Sequence, residues 1–125
     1  MTRPTLLIRV EAAMAAVGLV LVLAALGPPW WLWVVVLAAP DLSLLAYRAG
    51  TRVGAIVYNA AHFAALPLAG LAGLFLVAGL DADATLVEIA MLWLLHITID
   101  RALGFGLKLP SGFRDTHLGR IGRAA

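Results

Sequence analysis

The sequence predicts an all-α fold, an integral membrane bundle of four transmembrane helices. Of its 125 residues, 63% are hydrophobic and only 13% are charged, and the mean hydropathy is +1.00. A soluble domain of this size cannot bury so much apolar surface. The apolar residues also gather in four segments, and a spanning helix needs about 20 of them to cross the hydrocarbon core. A single membrane domain over residues 1–125 is therefore expected.

The four predicted helices follow one another closely along the chain. They cover approximately residues 6–26, 30–47, 53–76 and 85–105, and residues 109–125 form a short cytoplasmic tail. The connections contain Gly-Pro-Pro, an Arg and Gly-rich turn, and a short acidic stretch, all typical of loops between antiparallel neighbours. The first segment could also be a signal peptide, but its length, Glu11 inside it and three further spans favour an uncleaved helix.

The basic residues indicate the orientation, because Lys and Arg are retained on the cytoplasmic side of a membrane. In a four-pass topology all nine of them fall on one face. They are Arg3, Arg9, Arg48, Arg52, Arg101, Lys108, Arg114, Arg120 and Arg123. We therefore expect a multi-pass protein of the cell inner (plasma) membrane with both termini in the cytoplasm.

The same charge distribution predicts which molecules the protein contacts. A basic face at the cytoplasmic surface predicts contact with anionic lipid of the bilayer, and it argues against nucleic acid. Gly50 and Gly54 form a small-xxx-small pair, a pattern found where transmembrane helices associate. A homo-oligomer is therefore one alternative for the oligomeric state.

Polar and ionisable residues inside the bilayer are the candidate functional residues. Each charge at a helix centre costs about 2.5–3.5 kcal/mol, so it calls for a partner or a purpose. Because the helices alternate in direction, residues early in one and late in the next lie at one depth, here near the cytoplasmic side. The candidate pocket comprises Glu11, Asp41, Asn59, His62, His96, Asp100 and, from the tail, His117.

Four of these residues suit a metal ion. Asp41, His62, His96 and Asp100 supply two imidazoles and two carboxylates, the ligand types that zinc, manganese or iron accept in the core of a helix bundle. Spacing of i,i+4 puts His96 and Asp100 on one helix face. The predicted cofactor is thus a divalent metal, with the other three residues peripheral.

Other roles remain open for the same residues. Each histidine could be a neutral core residue bonded to a backbone carbonyl, and Asp41 could cap amides freed by Pro40. Asp100 could pair with Arg101, and His117 could be a solvated surface residue. The set could also relay protons or bind a polar headgroup.

Motifs of the commonest enzyme classes are missing. The sequence has no phosphate-binding loop, nucleophile elbow or HExxH motif, and no cysteine. If the protein is an enzyme, the natural chemistry is metal-activated water acting on a phosphate or ester at the lipid headgroup level. The alternatives are a non-catalytic small transporter or proton-linked carrier subunit, or a structural membrane scaffold.

Several motifs in order carry a family resemblance. They are Pro40-Asp41-Leu42-Ser43, Tyr58-Asn59 with His62, His96 with Asp100-Arg101, Gly104 to Lys108, and Thr116 to Gly119. Together they resemble domain-of-unknown-function family 4260, small bacterial multi-spanning membrane proteins. The resemblance spans nearly the whole chain and implies a membrane location but no established activity.

A looser resemblance is to membrane-bound metal-dependent hydrolases, which pair a Pro-Asp motif at a helix end with histidines. This sequence departs from that pattern because no second acidic residue follows Leu42 directly. Its Thr116-His117 pair also lies in the tail, so a two-metal hydrolase is not expected.

Overall fold

The computed structural model describes residues 2–122, which are mostly helical with one small sheet at the C-terminal end. Arg123, one of the nine basic residues, lies outside the described residues. The helices are α1 (Arg3–Leu26), α2 (Trp30–Ala38), a 3₁₀ helix (Ala39–Ala49), α3 (Thr51–Ala61), α4 (Ala65–Ala78), a 3₁₀ turn (Gly79–Asp81) and α5 (Ala84–Leu103). The strands are β1 (Lys108–Leu109), β2 (Gly112–Thr116) and β3 (Gly119–Arg120).

Long apolar helices mark a membrane protein. Three helical stretches within residues 2–122 are long and apolar enough to cross a bilayer, namely Arg3–Leu26, Trp30–Ala49 and Thr51–Asp81. Large apolar side chains such as Leu7, Val17 and Val77 stand exposed on them. Exposed apolar surface on helices of this length is typical of membrane proteins. The fourth predicted span coincides with α5, which has 20 residues but carries Glu88, Asp100 and Arg101.

The third predicted segment, residues 53–76, is not one continuous α-helix. Helix α3 ends at Ala61 and α4 begins at Ala65. Pro67 explains the break, because a proline ring inside a helix would clash with the carbonyl four residues earlier, here that of Phe63. Within the first turn of a new helix the same proline is tolerated. The break leaves His62 as the residue that ends α3.

The second predicted helix, residues 30–47, also changes character. It is α-helical to Ala38 and continues as eleven residues of 3₁₀ helix. Pro40 lacks the N–H that would bond to the carbonyl of Val36, so the α-helical ladder is interrupted at this point. The Ser43 hydroxyl donates to the Pro40 carbonyl at 2.6 Å.

Helix α5 is the centre of the packing. It lies against α1, α2 and α4, while the 3₁₀ helix lies against α3. The core between these helices is formed by Leu23, Leu32, Val36, Leu92 and Leu95. Asp83 caps the start of α5 by accepting the Leu86 N–H at 3.0 Å. This arrangement points the last turns of α5 towards α3 and the 3₁₀ helix.

The predicted C-terminal tail forms a three-stranded antiparallel sheet in the order β1-β2-β3. Lys108 lies opposite Thr116, and Asp115 lies opposite Arg120. The sheet lies against α3, to which the Asn59 side chain fastens it through both backbone groups of Lys108, at 2.9 and 2.7 Å. The sequence pattern did not predict this sheet.

Candidate metal centre

Four side chains converge at one point. Nε2 of His62 and Nε2 of His96 are 3.1 Å apart. Asp41 Oδ1 lies 3.7 Å from His62 Nε2 and 3.5 Å from His96 Nε2. Asp100 Oδ2 lies 3.4 and 3.6 Å from the same two nitrogens. The structure therefore brings together the four residues expected from sequence to bind a metal.

Each element contributes to this convergence for a local reason. Asp41 follows Pro40 in the first turn of the 3₁₀ helix. His62 ends α3 at the break before α4. His96 and Asp100 lie one turn apart on α5, so their side chains leave the same face of that helix. The 3₁₀ helix at Pro40 thus positions Asp41, and the helix break before Pro67 positions His62.

The hydrogen bonds of the two imidazoles fix which nitrogen faces the centre. Nδ1 of His62 is 2.9 Å from the Tyr58 carbonyl, and Nδ1 of His96 is 2.6 Å from the Leu37 carbonyl. A carbonyl only accepts, so each Nδ1 carries the proton and donates it. In a neutral ring Nε2 is then an acceptor. Two nitrogen lone pairs and two carboxylate oxygens consequently face one another, an arrangement that a shared cation would stabilise.

The spacing of the four atoms suits a small cation. All four lie within 4.8 Å of one another. Metal bonds of zinc to nitrogen and oxygen are about 2.0–2.2 Å, which in a tetrahedron separates neighbouring ligand atoms by about 3.3–3.6 Å. The five separations that involve an imidazole nitrogen are 3.1–3.7 Å and bracket that value. These residues could hold a metal ion with little movement.

Exposure differs sharply among the four groups. The His62 side chain is 0% exposed, and those of His96 and Asp100 are 9% and 17% exposed. The Asp41 side chain, by contrast, is 55% exposed. The centre is therefore enclosed on three sides and open beside Asp41.

Two residues that the sequence did not single out as site residues support the centre. Tyr58 donates its hydroxyl to Asp100 Oδ2 at 3.2 Å and stacks on the His62 ring at 3.7 Å between centroids. Arg101 donates to the carbonyl of His62 at 3.0 Å and to that of Phe105 at 2.9 Å. The i,i+4 spacing of Tyr58 and His62 was the available signal for the tyrosine. Arg101 bonds to backbone carbonyls here, while Asp100 faces the two histidines.

The three peripheral candidates are placed elsewhere. Glu11 is exposed on α1 and is not one of the four converging groups. Asn59 binds the backbone of Lys108. Nδ1 of His117 accepts the Leu107 N–H at 2.8 Å, and the His117 N–H donates back to the Leu107 carbonyl at 3.1 Å. His117 thus fastens the tail sheet, and burial beside the positive Arg101 lowers its pKa.

Lys108 connects the tail sheet to the wall of the centre. Its ammonium donates to the Phe113 carbonyl at 2.9 Å and lies over the rings of Phe113 and Tyr58, at 4.2 and 5.1 Å from their centroids. Burial lowers the pKa of this ammonium. The sheet therefore places a cation over the ring of Tyr58.

An apolar cavity of about 310 Å³ adjoins the centre. Its walls are Val36, Ala39, Pro40, Ala61, Ile89 and Trp93. Pro40 and Ala61 directly precede Asp41 and His62 in sequence, and Trp93 lies one turn before His96. The Trp93 indole is fixed in place, since its N–H donates to the Ala61 carbonyl at 2.6 Å.

Comparison with known proteins supports the resemblance seen in the sequence. A family model described as "Domain of unknown function (DUF4260)" matches residues 5–121, nearly the entire chain. No curated protein and no solved structure matches the chain. The match covers all four residues of the centre.

Proposed function

The chain belongs to the DUF4260 family, and we propose that it binds a zinc ion at Asp41, His62, His96 and Asp100 and uses it in hydrolysis. The substrate is an ester or phosphate at the lipid headgroup level. The observation that carries the proposal is the convergence of four acceptor atoms. The two imidazole nitrogens are 3.1 Å from each other and 3.4–3.7 Å from the two carboxylate oxygens, and both Nδ1 protons are donated to backbone carbonyls.

Zinc is favoured over manganese or iron by ligand number and spacing. Octahedral ions place neighbouring ligand atoms about 3.0 Å apart and fill six positions, whereas tetrahedral zinc needs four. The backbone bonds to both Nδ1 atoms, and the Tyr58 hydroxyl on Asp100, are the kind of support that holds metal ligands in orientation.

The exposure of Asp41 favours catalysis over a purely structural site. Structural zinc sites are closed by four protein ligands, while catalytic sites keep a position for water. His62, His96 and Asp100 would hold the ion as the enclosed set of three ligands. Asp41, at the open side, would yield its position to water and then accept the proton of that attacking water. Bound zinc would supply a Lewis acid and lower the pKa of that water to about 7.

We also propose that α5 is a fourth span and that both termini are cytoplasmic. Twenty residues at 1.5 Å per residue give about 30 Å, the thickness of the hydrocarbon core. The Arg9 side chain donates to the Ala102 carbonyl at 2.8 Å, so the start of α1 and the end of α5 lie together. The last turns of α5, which carry His96 and Asp100, then lie towards the cytoplasmic face.

The test is elemental analysis of protein purified in detergent without chelator. We expect about one zinc ion per chain in the wild type, and loss of that zinc in a His62→Ala/His96→Ala double variant that keeps its helical circular dichroism. His117→Ala is the matched control, because that histidine lies outside the centre and should leave zinc bound. Wild-type protein without metal would contradict the proposal.

Catalysis is tested separately with Asp41→Asn. This variant should retain zinc through the three enclosed ligands and lose hydrolysis of lipid esters or phosphates. If Asp41→Asn loses zinc and the wild type hydrolyses no lipid ester or phosphate, the metal site is structural.

A second candidate function rests on the 3.1 Å separation of the two Nε2 atoms. One proton shared between the imidazoles would also relieve the facing lone pairs, as a proton-linked carrier requires. This function predicts pH-gradient-dependent flux in proteoliposomes that is abolished by Asp41→Asn and is insensitive to chelators.

A further inference from the structure

We propose that the apolar cavity beside the centre binds the acyl chain of a membrane lipid, which makes the substrate a lipid ester or phosphoester. This inference rests on the proposed function for the identity of the reacting group, but the chain site itself can be tested without metal. Its support comes from the lining of the cavity, its depth in the membrane and its continuity with the centre.

The lining of the cavity is apolar. The wall residues Val36, Ala39, Pro40, Ala61, Ile89 and Trp93 offer aliphatic and aromatic side chains. The one polar side-chain group among them, the Trp93 indole N–H, is already donated to the Ala61 carbonyl. A volume of about 310 Å³ falls at the lower end of small-molecule pockets. A polar ligand would lose its hydration here without compensation, whereas a hydrocarbon chain would not.

The depth of the cavity matches the layout of a lipid. The second span and α5 run towards the same end of the molecule. Val36 precedes Asp41 by five residues and Ile89 precedes His96 by seven. At 1.5 Å per residue these walls lie about 7–10 Å farther from that end than the metal ligands do. Val36 and Ile89 thus lie deeper than the charged groups, in the order in which an acyl chain follows its headgroup.

Backbone continuity places the two sites within reach of one molecule. Pro40 and Ala61 are covalently joined to Asp41 and His62. The carbonyl of Leu37, next to Val36, accepts the Nδ1 proton of His96. A chain that lies against these walls would therefore bring its ester or phosphate group to the ligand atoms.

The wall residue Trp93 provides a direct probe. In a Trp30→Phe/Trp31→Phe/Trp33→Phe background, Trp93 is the single tryptophan of the chain, which has four. The methyl ester of dibrominated stearic acid, added to the purified protein in detergent, should quench its fluorescence saturably. Saturated fatty acid methyl esters of increasing length should compete, and their competition should stop improving once the chain is longer than the cavity.

Two variants block the cavity from different walls. Ala39→Phe and Ala61→Phe each add a ring to its lining and should abolish the saturable quenching, because the ring occupies the space of the chain. Ala69→Phe adds the same ring to an exposed position on α4, away from the cavity, and should leave quenching unchanged. All three should elute as the wild type does and retain its helical circular dichroism.

The possible results separate the two proposals. Quenching that rises linearly with the probe, or that is equal in Ala39→Phe, Ala61→Phe and Ala69→Phe, would overturn the chain site even where zinc is bound. Saturable quenching that the blocking variants remove, in protein without metal, would support the chain site while the zinc centre fails. Both results together, saturable quenching and bound zinc, assign a lipid substrate.

Discussion

At the scale of single residues, the orientation of the two imidazoles is the most informative feature. Both Nδ1 atoms bond to backbone carbonyls, as expected of ordinary buried histidines, so the bonds to Tyr58 and Leu37 alone would not indicate function. The distinguishing observation is that both Nε2 atoms then face each other and two carboxylates. A packing role would be served better by apolar residues of the same size.

Tyr58 gives a prediction at this scale. Tyr58→Phe removes the hydroxyl that donates to Asp100 and keeps the ring stacked on His62. Loss of such a supporting hydrogen bond typically weakens metal binding about 10–100-fold. Competition with a chromophoric zinc chelator should show this decrease while the circular dichroism is unchanged.

Tyr47→Phe is the matched control for that experiment. The Tyr47 hydroxyl is buried and has no hydrogen-bond partner among the residues that the structure describes, so its removal costs no hydrogen bond. Zinc affinity should equal that of the wild type, and the free energy of unfolding should not fall. Equal zinc affinities for Tyr58→Phe and Tyr47→Phe would show that Tyr58 does not support the centre.

At the scale of secondary-structure elements, the tail sheet depends on a few side chains. Its outer strands have only two residues each, too few to be stable alone. Asn59→Ala removes both bonds to the Lys108 backbone and should cost about 1–3 kcal/mol, with faster amide exchange in residues 107–120. Zinc should stay bound, because Asn59 is not a ligand. Unchanged exchange in the tail would contradict this role.

The tail should also respond to pH through His117. Its pKa is lowered in the folded protein, so an unfolded tail binds protons more readily there. Protonation of Nδ1 would also break the bond from the Leu107 N–H. The attachment of the tail is therefore complete above the ordinary histidine pKa of about 6.5 and weakens as the pH falls towards the lowered value.

Amide exchange of the Leu107 segment, corrected for the intrinsic pH dependence, measures this effect. Exchange should accelerate relative to the rest of the protein between about pH 7 and pH 5. His117→Ala should show fast exchange at both values. A wild-type tail that exchanges equally slowly across this range would refute the role of His117.

At the scale of the whole molecule, the sequence predicted apolar helices, three of which are long and apolar enough to cross a bilayer among residues 2–122, and the convergence of Asp41, His62, His96 and Asp100. Apolar length predicts the first, and alternating helix direction the second. It did not predict the break at Pro67 or the 3₁₀ helix after Pro40, since a proline within an apolar run is compatible with a kinked helix as well. It placed Glu11 in the pocket on depth alone, and depth does not determine which way a side chain faces. It included His117 because the tail could fold back, but in the structure this histidine bonds to the backbone of Leu107. The tail sheet was missed because tertiary contacts, not strand patterns, hold it together.

The membrane topology remains a prediction, and it depends on α5. The chain has no cysteine, so single cysteines report sidedness without background. We expect an impermeant maleimide added to intact cells to label Asp81→Cys, in the loop before α5, and to label Thr51→Cys and Ser111→Cys only after permeabilisation. Because Asp81 and Ser111 flank α5, labelling of both from outside would mean that this helix does not cross the membrane. The charged residues of the centre would then lie at a membrane surface, where their burial alone no longer argues for a function.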